Sequence, residues 1–155
     1  MALGDLHMEL IIGGCFQGKT AYGMDKLKER KLLPDGSGVH EVIVADGETC
    51  TWEQCAKADL VTRFHLLLRR TFKESTDDQG ILPEPVLKTM TDRVNILLNK
   101  NPKLMIICDE VGCGIIPMER SEREYREAVG RVLCLLSKRA ESVERVMAGI
   151  PIKIK

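Results

Sequence analysis

The run Gly13-Gly14-Cys15-Phe16-Gln17-Gly18-Lys19-Thr20 fits the pattern G-x-x-x-x-G-K-[ST] at every fixed position. Each fixed residue has a chemical reason. The glycines let the backbone bend until successive N–H groups converge on phosphate oxygens. A helix opening near Gly18 adds the partial positive charge of its N-terminus. Lys19 brings a mobile point charge to the β- and γ-phosphates, and the Thr20 hydroxyl is a ligand for Mg²⁺. The segment predicts a nucleoside triphosphate site, with ATP or GTP as co-substrate. The competing reading is a tight strand–helix turn with an incidental lysine. Context weighs against it, because an apolar run precedes the loop and a helical pattern follows.

Such a loop needs a second anion to hold the metal or its waters, at the end of another strand. Asp109 and Glu110 follow five apolar residues, Leu104 to Cys108, and precede Val111-Gly112-Cys113-Gly114. Two carboxylates there fall on the sheet edge where α/β proteins bind ligands; the bland alternative is a solvated acidic turn. The segment Asp59-Leu60-Val61-Thr62-Arg63 has no acid at its carboxyl end, which favours Asp109 and Glu110 by elimination. The expected metal ligands are Thr20, Asp109 and Glu110, and the expected catalytic groups are Lys19 and Glu110.

The elements that must carry these groups alternate. Met8 to Ile12 reads as a buried strand, and Gly18 to about Lys31 as a helix. Pro34 to Gly38 is a loop, and Val39 to Ala45 is a second strand closed by Asp46-Gly47. Thr51 caps a short helix, Trp52 to Lys57, with Glu53 in its first turn. Asp59 to Thr62 is a brief strand and Phe64 to Phe72 a helix. A polar loop, Lys73 to Gly80, follows. Pro83 and Pro85 suit a helix start, with Leu87, Met90, Val94, Leu97 and Leu98 at helical spacing. Leu104 to Cys108 is the clearest strand. Ser121 and Glu124 have capping-box spacing ahead of an apolar stripe from Tyr125 to Leu136. Val143 to Ala148 and Ile150 to Ile154 are two closing strands that pair antiparallel. The expected fold is one α/β domain over residues 1–155: a mostly parallel sheet, helices on both faces and an antiparallel edge. Residues 1–7 read as an extension before Met8.

Composition narrows the function classes. In 155 residues, 44% hydrophobic and 30% charged, Lys+Arg and Asp+Glu balance at 23 each. That argues against a general nucleic-acid binder. No apolar run reaches the length of a membrane helix and the N-terminus lacks a signal-peptide layout, so the expected compartment is the cytoplasm. The six cysteines, 15, 50, 55, 108, 113 and 134, lack zinc-knuckle spacing. Cys108 and Cys134 read as buried small hydrophobes. Of the three histidines, His7 precedes the first strand, His40 starts the second, and His65 sits among apolar helix residues, where a packing role outweighs a site role. Arg69 and Arg70 are either phosphate contacts or a solvated helix face. Arg126 and Arg131 are divided between ion pairing and substrate phosphate.

One segment is far more specific than the loop. Asp109-Glu110-Val111-Gly112-Cys113-Gly114-Ile115-Ile116-Pro117, continuing through Arg120, Arg123 and Arg126 to Gly130-Arg131-Val132, resembles the N-E-V-G-x-G-I-V-P…R-x-F-R-D-x-x-G-R-V stretch of one family. This is the adenosylcobinamide kinase/adenosylcobinamide-phosphate guanylyltransferase family of cobalamin biosynthesis. Gly149-Ile150-Pro151-Ile152-Lys153-Ile154-Lys155 is similar to its G-I-x-x-K-I-K ending, and residues 13–20 to its G-G-x-x-S-G-K-S loop. The resemblance covers about residues 8–20 and 104–155. It implies a RecA-like P-loop fold, a Mg²⁺- and nucleotide-dependent kinase for a cobinamide-type hydroxyl, and a homotrimer. It also lends Arg126 and Arg131 support as substrate contacts. The family carries GMP on a histidine in an H-x-x-x-R-P-x-x-W segment after its second strand. Here Gly47-Glu48-Thr49-Cys50-Thr51 stands there instead, and Val61-Thr62-Arg63 replaces an acidic L-[DE]-C. The expectation is an adenosylcobinamide kinase without the guanylyltransferase half. A P-loop regulatory or scaffold protein, and a kinase for another small alcohol, are the rivals.

Overall fold

In the computed structural model, residues 7–31, 38, 40–76 and 84–155 are described. The elements run β1 (Glu9–Gly13), α1 (Lys19–Arg30), β2 (Val44–Asp46), α2 (Trp52–Lys57), β3 (Leu60–Thr62), α3 (Phe64–Ser75), α4 (Glu84–Lys100), β4 (Met105–Asp109), α5 (Arg120–Arg139), β5 (Ser142–Met147) and β6 (Ile150–Lys153). The strands form one sheet in the order β2-β3-β4-β1-β5-β6. It is parallel from β2 to β5, and β6 closes it antiparallel. This is the mostly parallel α/β architecture with an antiparallel edge expected from the alternation of elements, and it carries the P-loop fold that the resemblance implies.

Strand order decides which face each helix covers. From β1 the chain jumps past β4 and β3 to β2, then works back across the sheet to β5. With crossovers of one hand, that reversal places α1 alone on one face and α2 to α5 on the other. The buried residues divide the same way. Leu27 of α1 joins Ile11, Leu60, Met105, Ile107 and Val146. The larger core joins Leu10, Val61, Ile106 and Val143 to Phe64, Leu68, Met90, Val94, Tyr125 and Val132. Neighbours Leu10/Ile11 and Ile106/Ile107 thus point to opposite faces, as the two-residue strand period requires. A fully buried side chain of this size contributes roughly 1.5–3 kcal/mol, so the face carrying four helices holds most of the stability.

Several expectations need correcting. β2 is shorter than Val39 to Ala45. The Asp59 carboxylate takes the Ile43 N–H at 2.8 Å, and the Ile43 carbonyl accepts from Asp59 and Leu60, so a side chain replaces the ladder there. His40 accordingly lies before the strand, its N–H on the Lys31 carbonyl. Ser121 is not a cap: α5 begins one residue earlier with Glu119 as N-cap and no side-chain cap bond. Glu124 is engaged by Arg120 at 2.7 Å. Cys134 is exposed, because it lies about 200° around α5 from both Val132 and Leu136, which face the core. Thr51 does cap α2, completing a reciprocal capping box with Gln54. Residues 1–6, Pro34 to Ser37, Val39, the end of the polar loop and Pro83 lie outside the described residues.

Candidate phosphate-binding site

β1 delivers the chain to the carboxyl edge of the sheet, where Gly13 passes the β5 backbone too closely for a side chain. A Cβ there would stand 2.5 Å from the Val146 carbonyl oxygen. Gly18, at φ 86°, caps α1. The first turn of α1 carries no acid while Lys28 and Arg30 sit in its last, so the positive field of the N-terminus is unopposed. Gln17 ties the loop to the β5–β6 turn: its Oε1 accepts the Ala148 N–H at 2.7 Å and its carbonyl accepts the Gly149 N–H at 2.9 Å. Phe16 is 99% exposed with φ 57°.

Lys19 is only 6% exposed. Its Nζ donates to the Gly14 carbonyl at 2.5 Å and lies 2.8 Å from Asp109 Oδ1. The pair is brought together because β4 lies directly beside β1, with Gly13 opposite Asp109. A pocket of about 370 Å³ opens here, lined by Cys15 to Ala21, Arg63, Ile107 and Asp109. Thr20 and Asp109 both line it.

The other expected groups divide. Glu110 turns away from that pocket to Arg145 of β5, 2.9 Å, while its N–H holds the Gly13 carbonyl at 3.0 Å. Arg126 donates to the Ile115 carbonyl at 2.9 Å, bracing the turn after β4. Arg131 pairs with Glu127 one helical turn away, both exposed. Arg69 pairs with Glu122 and stacks on the Tyr125 ring at 4.1 Å, and Arg70 binds carbonyls of the turn after β2.

His65 has a place in the site rather than a purely packing role. Its Nδ1 accepts the Asp109 N–H at 3.3 Å, and Nε2 stands 3.8 Å from Asp109 Oδ2. Tyr125 donates its hydroxyl to the His65 carbonyl at 2.7 Å. Burial lowers the imidazole pKa, opposed by Asp109 and reinforced by Lys19, so the ring is neutral at pH 7. Sequence reasoning also passed over a second cluster. Asp46, ending β2, receives Arg63 Nε at 2.9 Å and the Nη2 group as well. Glu48 holds Nη1 at 2.5 Å. Only the neighbouring ends of β2 and β3 bring these residues together, and the available signal was the acid closing the second strand.

The fold and the loop define the class: an α/β protein of the P-loop type. The chain matches the model of the cobinamide kinase / cobinamide phosphate guanyltransferase family over residues 46–154, and it belongs to that family. It is 36% identical over 72 residues to the bifunctional adenosylcobalamin biosynthesis protein CobU of Salmonella typhimurium, covering 44% of this chain and 40% of that protein. It is 42% identical over 53 residues to the protein of the same name from Escherichia coli, covering 34% of this chain and 29% of that one. The matched stretches thus span less than half the length of these relatives. No described helix is long and apolar enough to cross a membrane.

Proposed function

We propose that this chain is a cytoplasmic phosphotransferase of cobalamin biosynthesis, moving the γ-phosphoryl group of ATP or GTP to a hydroxyl of a cobinamide-type acceptor. The observation that carries the reading is Lys19 Nζ held 2.8 Å from Asp109 Oδ1 at the mouth of a loop-lined pocket. Backbone N–H groups of residues 14–19 and Lys19 would neutralise charge on the phosphates as it moves toward the leaving oxygen. Asp109, the acid facing that pocket, would accept the proton of the attacking hydroxyl. Glu110 would act from the other side, holding the Gly13 carbonyl and Arg145 so that the loop keeps its shape.

Mg²⁺ is implied by the family and fits the donors present. The Thr20 hydroxyl and the Asp109 carboxylate are hard oxygens in one pocket, suited to an ion that keeps waters and phosphate oxygens as its other ligands. Bound there, it would supply charge neutralisation on the phosphates. Arg126 and Arg131 remain proposed acceptor contacts, and a homotrimer the proposed assembly. Guanylyl transfer is left out of the proposal because the segment after β2 carries Glu48 and no histidine.

A second reading, a nucleotide-binding scaffold, is favoured by one feature: β3 ends in Val61-Thr62, with no acid where the family's L-[DE]-C has one. One panel separates the two. Melting temperature and turnover are measured with ATP and GTP, with and without Mg²⁺ and cobinamide. Conversion of the triphosphate to the diphosphate in step with cobinamide phosphate formation supports the kinase. Stabilisation by nucleotide with no product supports the scaffold, and no response to either nucleotide overturns both.

A further inference from the structure

We propose that Arg63 is a phosphate-binding residue: a second cation, across the pocket from Lys19, that contacts the terminal phosphate of the bound nucleotide. This deepens the phosphate-loop reading and rests on it. Arg63 lines the same pocket as the loop and Asp109. It follows β3 directly, as the N-cap of α3, and β3 lies two strands from β1 in the order β3-β4-β1, a separation of about 10 Å at the usual strand spacing. Its guanidinium is turned to Asp46 on the β2 side, so a phosphate chain seated on the loop would meet the edge that Asp46 leaves free.

Both cations of the pocket carry acid partners: Lys19 faces Asp109 at 2.8 Å, and Arg63 faces Asp46 and the more exposed Glu48. Arg63 is the other cationic side chain lining the pocket. Its backbone stands at φ 49°, a left-handed conformation that a residue with a β-carbon adopts at a cost. Such strain concentrates at ligand sites. The turn is fixed from below, since the Gly47 N–H binds the Thr62 carbonyl at 2.8 Å and a Cβ on Gly47 would lie 2.2 Å from the Arg63 carbonyl oxygen.

The guanidinium is held by one edge and available at the other. Nε and Nη2 grip Asp46, a two-point contact that orients the planar group. Nη1 meets only Glu48, whose side chain is 57% exposed. Of the five guanidinium N–H groups, two therefore remain for a phosphate, and Nη1 can exchange its Glu48 contact for one more. Glu48 is a competitor for the nucleotide, and Asp46 is the anchor.

Affinity for ATP, GTP, ADP and GDP in the presence of Mg²⁺, measured by calorimetry on the full chain, tests this. Lys19→Ala, Arg63→Gln, Arg63→Lys and Glu48→Gln are compared with wild type after each is shown to melt cooperatively. Arg63→Gln is expected to weaken ATP and GTP about tenfold, with ADP and GDP changed by less than about twofold. Glu48→Gln is expected to tighten the triphosphates, because it removes the competing anion. A role confined to the ion pair predicts instead that Arg63→Gln and Glu48→Gln weaken binding alike, and that result overturns the proposal. If Lys19→Ala loses triphosphate affinity and Arg63→Gln does not, the Arg63 assignment alone fails. If neither variant changes affinity, the phosphate-loop reading fails with it. Should Arg63→Gln not fold, Arg63→Lys decides: it keeps the charge but loses the fork, so a loss confined to triphosphates supports the proposal and unchanged affinities reject it.

Discussion

The carboxyl edge of the sheet has two halves that differ in how they are made. On the β1–β4 side, one contiguous run of eight residues forms the phosphate loop, and a buried lysine meets one acid. On the β2–β3 side, Asp46 and Glu48 come from one turn and Arg63 from another segment, and together they form a more exposed cluster. The first half resembles what the chemistry of triphosphates demands of any chain. The second half is where this chain parts from the family pattern it resembles: β3 ends in Val61-Thr62, with Thr62 where L-[DE]-C has its acid.

The largest effect should come from the acid that joins the halves. Asp109→Asn keeps the size and removes the charge facing Lys19. It should lower kcat by about 10²–10⁴ with cobinamide as acceptor, while ATP affinity measured without Mg²⁺ holds or rises because Lys19 is released. Wild-type turnover in that variant would place the proton acceptor elsewhere. Lys19→Ala should act on affinity instead, weakening ATP and GTP by about tenfold to a hundredfold, as expected for one charged hydrogen-bonding group removed from phosphate. Equal affinity in calorimetry would reject the loop as the binding element.

Glu110→Gln sharpens the contrast within one strand end. Its carboxylate already serves Arg145, so the expected loss of turnover is smaller, about tenfold at most, with nucleotide affinity unchanged. A loss as large as that of Asp109→Asn would move the acid role to Glu110.

On the β2–β3 side the measurable quantity is stability. Hydrogen bonds from Arg63 hold the Asp46 carboxyl below its ordinary value of 3.8, against a smaller opposing effect of burial. A depressed carboxylate stabilises the fold above its ordinary pKa and loses that contribution as pH falls through its folded value. Asp46→Asn should therefore melt slightly below wild type at pH 7, by a few degrees at most for so exposed a pair. The two curves should converge as pH drops below 3.8. A gap that persists at acid pH would mean that Asp46 acts by packing.

Why one half was readable and the other was not follows from range. Gly13 to Thr20 is local, and so is the Thr51–Gln54 cap; both are legible because the groups that interact are neighbours in sequence. The Asp46–Arg63 pair exists only because β2 and β3 are adjacent in register, which no spacing announces. The same limit lengthened the second strand, since Asp59 from another segment takes over the Ile43 N–H. It also hid His65, whose apolar neighbours Phe64, Leu67 and Leu68 are indeed buried while its ring turns to Asp109 instead.

The smallest expected effect is none at all. This protein should form no covalent guanylyl-histidine. Such an intermediate needs an imidazole nitrogen with a free lone pair in line with the α-phosphate, and cations to receive the departing pyrophosphate. His7 pairs with Glu141 at 2.8 Å below β1, at the amino edge of the sheet, and His40 lies ahead of β2, so neither reaches the loop. His65 is the histidine beside the phosphate site, and its hydrogen bonds argue against attack. Because Nδ1 accepts the Asp109 N–H, the neutral ring carries its proton on Nε2, the nitrogen toward Asp109 Oδ2. The lone pair needed for attack is thus committed to a backbone N–H. Turning the ring would leave a buried amide without its partner. Incubation with α-labelled GTP and Mg²⁺, followed by denaturing electrophoresis, should leave wild type and His65→Ala equally unlabelled. An acid-labile, alkali-stable label on wild type that vanishes in His65→Ala would restore a two-step reaction and make His65 its carrier.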